Sequence, residues 1–298
     1  MGEKKKETNY FKSSRDIYNG LVFVLPLLLF YQIGLLFTDF KSLNGADFLT
    51  PLIMSYAGKK GLMAFHFLLI FVFVTLFSSV QKKEEFRFHY LIYIFLESLL
   101  YSLAMLVLIN MILQKMDWRV SVGAAVFLLS IPYFYFGLQK KKDTGTARTI
   151  FLILEALMLG GMILMGIYLV QKWDTFQWEA LKSSHALVNA LRAVGAGVNE
   201  EIFFRVILFG SFFYFAHKKL DWEAYPSFLI AAILSGLLFA LAHHIGQPVS
   251  SISTYILLYR MLAGIIFCIL FLTRGVAVAI YMHTLYDLMY FFKDFWGG

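Results

Sequence analysis

Three short stretches of the chain carry side chains able to do acid–base chemistry. Residues 200–205 read EEIFFR, so Glu200, Glu201 and Arg205 stand at the head of a strongly apolar run. On a helix Glu201 and Arg205 are four apart with the acid first, the favourable order for an ion pair. That pair compensates itself and reads as support. Glu200 points about 100° away round the helix, and none of the residues one turn before or after it is charged. A carboxyl placed this way suits a proton acceptor working near neutral pH. The second stretch ends FALAHH, with Phe239 one turn before His243 and with His244 beside it. His244 reads as an interfacial residue at a helix end. The third stretch carries His283 and Asp287, four apart on one helix face.

Glu200, His243, His283 and Asp287 together supply a base and imidazole donors. Hydrolysis by an activated water needs such a base and donors for the oxyanion in a polar cavity. No serine stands in a Gly-x-Ser-x-Gly turn, and Cys268 lies inside an apolar run, which argues against a covalent nucleophile. Two histidines and a glutamate could also hold zinc. The chain has no His-Glu-x-x-His, however, and the ligands would come from three helices. The expectation is no cofactor, with zinc-dependent hydrolysis as the alternative mechanism.

These groups sit in a chain built for lipid. Its 298 residues are 60% hydrophobic, 18% aromatic and 15% charged, with mean hydropathy +0.71. A soluble chain is about half apolar and about a quarter charged. The apolar excess comes in blocks long enough to cross ~30 Å of hydrocarbon as helices. The expected fold is all-α, a polytopic helical membrane protein with eight or nine transmembrane helices. Candidate spans are 17–38, 62–80, 87–113, 120–138, 149–170, 199–217, 226–244, 254–273 and 275–292. A Thr-Arg-Gly turn separates the last two so narrowly that eight is an acceptable count. The division expected is 1–170, five spans without a recognised motif, and 171–298, a catalytic helical core. No internal repeat or flexible linker is visible, and a single cysteine excludes an intramolecular disulfide.

Charge sets the expected orientation. With the N-terminus inside, the inner segments hold fifteen Lys and Arg, including Lys140, Lys141, Lys142 and Arg274. The outer segments hold ten, including Lys59, Lys60 and Arg260. This bias favours a cytoplasmic N-terminus. The basic residues are scattered as loop clusters, which gives no reason to invoke nucleic acid. Spans 199–217 and 226–244 then run antiparallel, so Glu200 and His243 lie at similar depth near the outer face. Residues 173–198 read as an interfacial helix that dips into the bilayer and carries Glu200 to the depth of His283.

At these residues the chain resembles the CAAX protease and bacteriocin-processing (CPBP, or Abi) family, whose members are glutamic-type intramembrane proteases similar to the Ras-converting enzyme. The resemblance rests on Glu200-Glu201-x-x-x-Arg205, Phe239-x-x-x-His243 and His283-x-x-x-Asp287, in that order on separate late spans, and covers about residues 195–292. It implies that Glu200 is the general base activating a water and that His243 holds and polarises it. His283 and Asp287 would line the pocket and stabilise the tetrahedral intermediate, with Glu201, Arg205 and Phe239 in support. The Ras-converting enzymes carry Asn where this chain has Asp287, whereas bacterial members often show Asp. An ionised Asp cannot donate to an oxyanion, so Asp287 is either protonated or orients His283, and the second is preferred.

The substrate class implied is a membrane-associated protein or peptide, cut at the bacterial plasma membrane. A transporter or a non-catalytic membrane scaffold or immunity protein is the alternative from another class. Glu97 and Glu155 could supply its proton path, but no inverted repeat or paired broken helices accompany them.

Overall fold

The computed structural model describes residues 10–38, 49–80, 87–114, 185–245 and 253–291. The expected spans 120–138 and 149–170, together with Glu155 and Lys141, lie outside them. Every regular element among the described residues is helical. The order is α1 (Tyr10–Arg15), α2 (Ile17–Phe37), α3 (Leu49–Val80), α4 (Tyr90–Gln114) and α5 (His185–Glu201). From α5 the chain continues as helix through a π-helical stretch (Ile202–Phe209), α6 (Gly210–Tyr214) and a second π stretch (Phe215–Lys219). It is followed by α7 (Ala224–Ala242), α8 (Thr254–Arg274) and α9 (Val276–Phe291).

Local sequence explains several boundaries. Asp16 caps α2, its carboxylate accepting the Asn19 backbone N–H at 2.9 Å, which satisfies a donor the helix start leaves over. Gly58 kinks α3 at φ 62°, ψ −168°, a conformation that is essentially glycine's alone. The expected start of the next span at 62 therefore falls just after a real break. The expected start at 199 does not: residues 185–198 contain no proline, Gly195 and Gly197 stay helical, and Leu191, Val194 and Val198 are buried. One helix thus runs from His185 through Glu201, and residues 173–184 of the segment expected to lead into Glu200 lie outside the described residues.

Among the described residues, four helices are long and apolar enough to cross a membrane: Ile17–Phe37, Leu49–Thr75, Ala224–Ala242 and Thr254–Arg274. A shorter apolar helix covers Tyr90–Met105. The described residues therefore do not by themselves establish eight or nine spans. Their outer faces stay apolar, with Ile33 57%, Phe37 78% and Phe71 67% exposed. Such a surface would drive association in water but matches hydrocarbon, and the chain is an integral membrane protein.

The centre of the bundle is α9. Val276 through Met282 are buried with apolar side chains on every face, so this helix must be enclosed by protein. It packs against α5, α4, α8 and α2. Its entry is a tight turn at Gly275, φ 96° and ψ 171°, where a Cβ would stand 2.1 Å from the Ser14 carbonyl oxygen.

Next to that turn lies a second polar centre. Arg274, expected in an inner loop, is buried and binds Glu97 of α4 through both Nε and Nη2, the latter at 2.7 Å. Tyr101 donates to Glu97 Oε1 at 2.8 Å and Tyr10 to Oε2 at 2.5 Å. Glu97 is thereby the hub of a clasp joining α1, α4 and α8. Four donors on one carboxylate are a structural fastening, since a proton relay needs a group able to exchange partners.

Gly275→Ala meets both a forbidden φ and the Ser14 carbonyl, whereas an added Cβ at Gly58 meets nothing within 4 Å. Gly58→Ala should cost about 1–3 kcal/mol of stability from backbone strain alone, and Gly275→Ala at least about 1 kcal/mol more from overlap. Melting of the two variants in detergent checks this order; equal melting points would contradict it.

Candidate active site

Two close helix approaches bring the three polar stretches together. At Gly197, one turn before Glu200 and Glu201, α5 touches the backbone of α9: a Cβ there would lie 2.9 Å from Thr284 N and 3.1 Å from Ile280 O. At the crossing of α7 and α8, a Cβ on Gly264 would lie 2.8 Å from Gly236 Cα. Small residues permit such approach between helices in a membrane. Ser235 adds a hydrogen bond from its hydroxyl to the Phe204 carbonyl at 2.7 Å, fastening α7 to the π stretch that follows α5.

Glu200, Glu201 and Arg205 are all completely buried. The Arg205 guanidinium meets Glu201 Oε2 at 3.1 Å, so the pair expected from i,i+4 spacing is formed. The same guanidinium lies 4.5 Å from the Phe239 ring centroid and 4.9 Å from that of Phe267. Aromatic faces stabilise a cation removed from water. Phe239 thus serves Arg205 as well as His243, whose ring it meets edge-on at 4.7 Å.

Glu201 has a further partner that spacing could not reveal. Its Oε1 accepts from His283 Nδ1 at 2.7 Å, across 82 residues of sequence. Phe267 stacks on the His283 ring at 4.5 Å and 22°. His283 is therefore fixed in position and tilt. Its Nε2 faces two carboxylates, Asp287 Oδ2 at 3.6 Å and Glu200 Oε2 at 3.8 Å. The orienting contact expected from Asp287 is made more closely by Glu201 at the other nitrogen.

His243 ends α7 with its side chain 22% exposed, so the cluster has an open side there. Its Nδ1 donates to the Phe239 carbonyl at 2.8 Å, and a carbonyl can only accept. In the neutral ring the lone pair is therefore on Nε2, which faces Glu200 Oε1 at 3.5 Å. His244, expected at an interface, is buried at the same helix end.

Glu200, His243, His283 and Asp287 thus converge from α5, α7 and α9, with Glu201, Arg205 and Phe239 around them. Among the described residues, no group of three or more His, Cys, Asp or Glu is arranged to hold a metal ion. Chemically the set offers one carboxylate between two imidazoles, each imidazole held at its Nδ1 with Nε2 turned inward.

No curated protein and no solved structure matches the chain. The family match leaves residues 1–181 outside it. Residues 182–289, which supply every side chain of the cluster, match the family model described as type II CAAX prenyl endopeptidase Rce1-like.

Proposed function

We propose that the chain is an intramembrane endopeptidase that hydrolyses a peptide bond of a membrane-associated protein or peptide with water activated by Glu200 and His243. The observation that carries this reading is the inward-facing geometry of Glu200 and the two histidines. A water placed at hydrogen-bond distance from both Glu200 Oε1 and His243 Nε2 is compatible with their 3.5 Å separation. Both groups are acceptors, so that water donates its two protons to them and directs a lone pair toward a peptide carbonyl.

Attack forms the C–O bond and transfers one water proton to Glu200, in the role of general base. The negative charge moves to the carbonyl oxygen. His283, protonated at both nitrogens, donates from Nε2 to that oxyanion, while Glu201 at Nδ1 and Asp287 beside Nε2 stabilise the imidazolium. Collapse breaks the C–N bond, and Glu200 returns its proton to the leaving amine. Asp287 acts here on His283, since an ionised carboxylate cannot itself donate. The family match supports the reaction class, and the apolar outer faces support a substrate reached from the bilayer.

The catalytic core in this reading is 171–298, preceded by the helices of 1–170, in a bacterial plasma membrane with the N-terminus cytoplasmic. The site then opens outward. A Cys at Ser253, the exposed residue before α8, in a Cys268→Ala background should react with a membrane-impermeant thiol reagent in intact cells. Labelling only after lysis would invert the topology.

Glu200→Gln removes the base and keeps the shape. It should abolish cleavage of a farnesylated, internally quenched CAAX-type peptide while yield and melting stay near wild type. Cleavage at a normal rate would sink the mechanism, and cleavage lost on chelation together with stoichiometric zinc would favour the metal-dependent alternative. Arg205→Gln strands a buried acid beside His283 and should lower stability by about 3–5 kcal/mol. Unchanged melting with lost turnover would instead place Arg205 in the catalytic set.

A further inference from the structure

A polar chain outside the cluster reaches its helix from the opposite side. His66 on α3 is completely buried. Its Nδ1 donates to the Leu62 carbonyl at 2.9 Å, which leaves the lone pair of the neutral ring on Nε2. Nε2 lies 3.2 Å from Oδ1 of the Asn199 carboxamide on α5. The two are hydrogen-bonded with that carboxamide turned so that its NH2 donates to Nε2 and its oxygen accepts from Thr50. The other end of that carboxamide lies 3.5 Å from Thr50 Oγ1, which meets the Tyr31 hydroxyl at 3.4 Å. The Tyr31 ring also packs on His66, with centroids 4.7 Å apart. Asn199 is itself buried, and it is the residue immediately before Glu200.

Successive residues on a helix point about 100° apart. Asn199 can therefore hold α3 while Glu200 faces α7 and α9. Burying His66 and Asn199 is costly unless both are hydrogen-bonded, so this contact resists loss of alignment. A side-chain end roughly 6 Å from the helix axis moves roughly 1 Å for a 10° rotation, and a misplacement of that size can cost about a hundredfold in rate. Glu201 anchors α5 toward α9 through His283, and Asn199 supplies the polar anchor on the side of α3.

We propose that His66 is a positioning residue for Glu200: through Asn199 it fixes the rotation of α5 and so the direction of the Glu200 carboxylate. The N-terminal helices, which lie outside the family match, thereby contribute to the site without touching substrate. The catalytic half of this inference rests on Glu200 being the base.

The test uses the full-length protein in detergent with the farnesylated quenched peptide. His66→Phe keeps the ring and its contact with Tyr31 but removes the hydrogen bond, and Asn199→Ala removes the other partner. Each should lower kcat about tenfold or more, with KM within about twofold, at temperatures well below the variant's melting point. The double variant should be no slower than the slower single one, because both remove one contact. If His66→Phe fails to fold, Asn199→Ala carries the kinetic test. A purely structural role would lower melting and leave kcat of the folded enzyme unchanged, which overturns the proposal, as would additive losses or a change in KM alone. A second readout needs no turnover: labelling of Glu200 by a hydrophobic carbodiimide, followed by mass spectrometry, should change severalfold in either variant. An unchanged labelling rate overturns the positioning role. Wild-type protein that cleaves neither this peptide nor an unprenylated, membrane-anchored reporter peptide sinks the catalytic reading, while the labelling result still decides the positioning.

Discussion

A charge inside a bilayer has no water to fall back on, so the protein must supply its counter-charge and hydrogen bonds from its own helices. The architecture of this chain follows from that constraint at two places. Glu97 takes four donors from Arg274, Tyr10 and Tyr101, which ties α1, α4 and α8 around the entry to α9. Glu201 takes Arg205 on one oxygen and His283 on the other, which ties α5 to α9 at the cluster. Each set fixes the direction of a helix as well as satisfying a charge. Both depend on close backbone approach, at Gly275 and at Gly197, because longer separations would leave the side chains short of one another.

The adjacent acids are treated differently by their surroundings. Glu201 is held by contacts of 2.7 and 3.1 Å, and its role is to hold His283 and balance Arg205. Glu200 meets its two imidazoles at 3.5 and 3.8 Å, longer than ordinary hydrogen bonds. Two neighbouring carboxyls set to separate tasks by environment is a recurrent means of running acid–base chemistry in one pocket. The π-helical continuation after Glu201 belongs to the same arrangement. Departures from regular helix often mark functional sites, and here Ser235 occupies the Phe204 carbonyl at the point where the helix widens.

Much of this was legible in the sequence because membrane helices announce themselves by long apolar blocks and because i,i+4 pairs lie on one helix face. The boundaries of α2, α4, α7, α8 and α9 lie close to the expected ones, and Glu201–Arg205 follows from spacing alone. The meeting of Glu200 with His243 followed from antiparallel spans of matched length. What stayed hidden depends on helix rotation and lateral packing, which periodicity does not encode. Glu201 to His283, Phe267 on His283, and His66 to Asn199 each join residues far apart in sequence on different helices. Arg274 looked like a loop cation because it borders a Gly turn, but the turn is buried and Glu97 takes the charge. Residues 173–198 read as an interfacial helix because Trp173 and Trp178 suit the headgroup zone, with Leu187 to Val198 apolar enough to dip inward. Spacing did not reveal that Gly197 in that stretch lets α5 touch the backbone of α9.

The most direct test of the account is a crystal structure of the full-length protein that resolves ordered water, with diffraction also recorded at the zinc edge. The account predicts a water within hydrogen-bond distance of both Glu200 Oε1 and His243 Nε2, with His283 Nδ1 on Glu201 and no anomalous peak among these residues. An anomalous peak at the cluster, or Glu200 and His243 held too far apart to share one water, would contradict it.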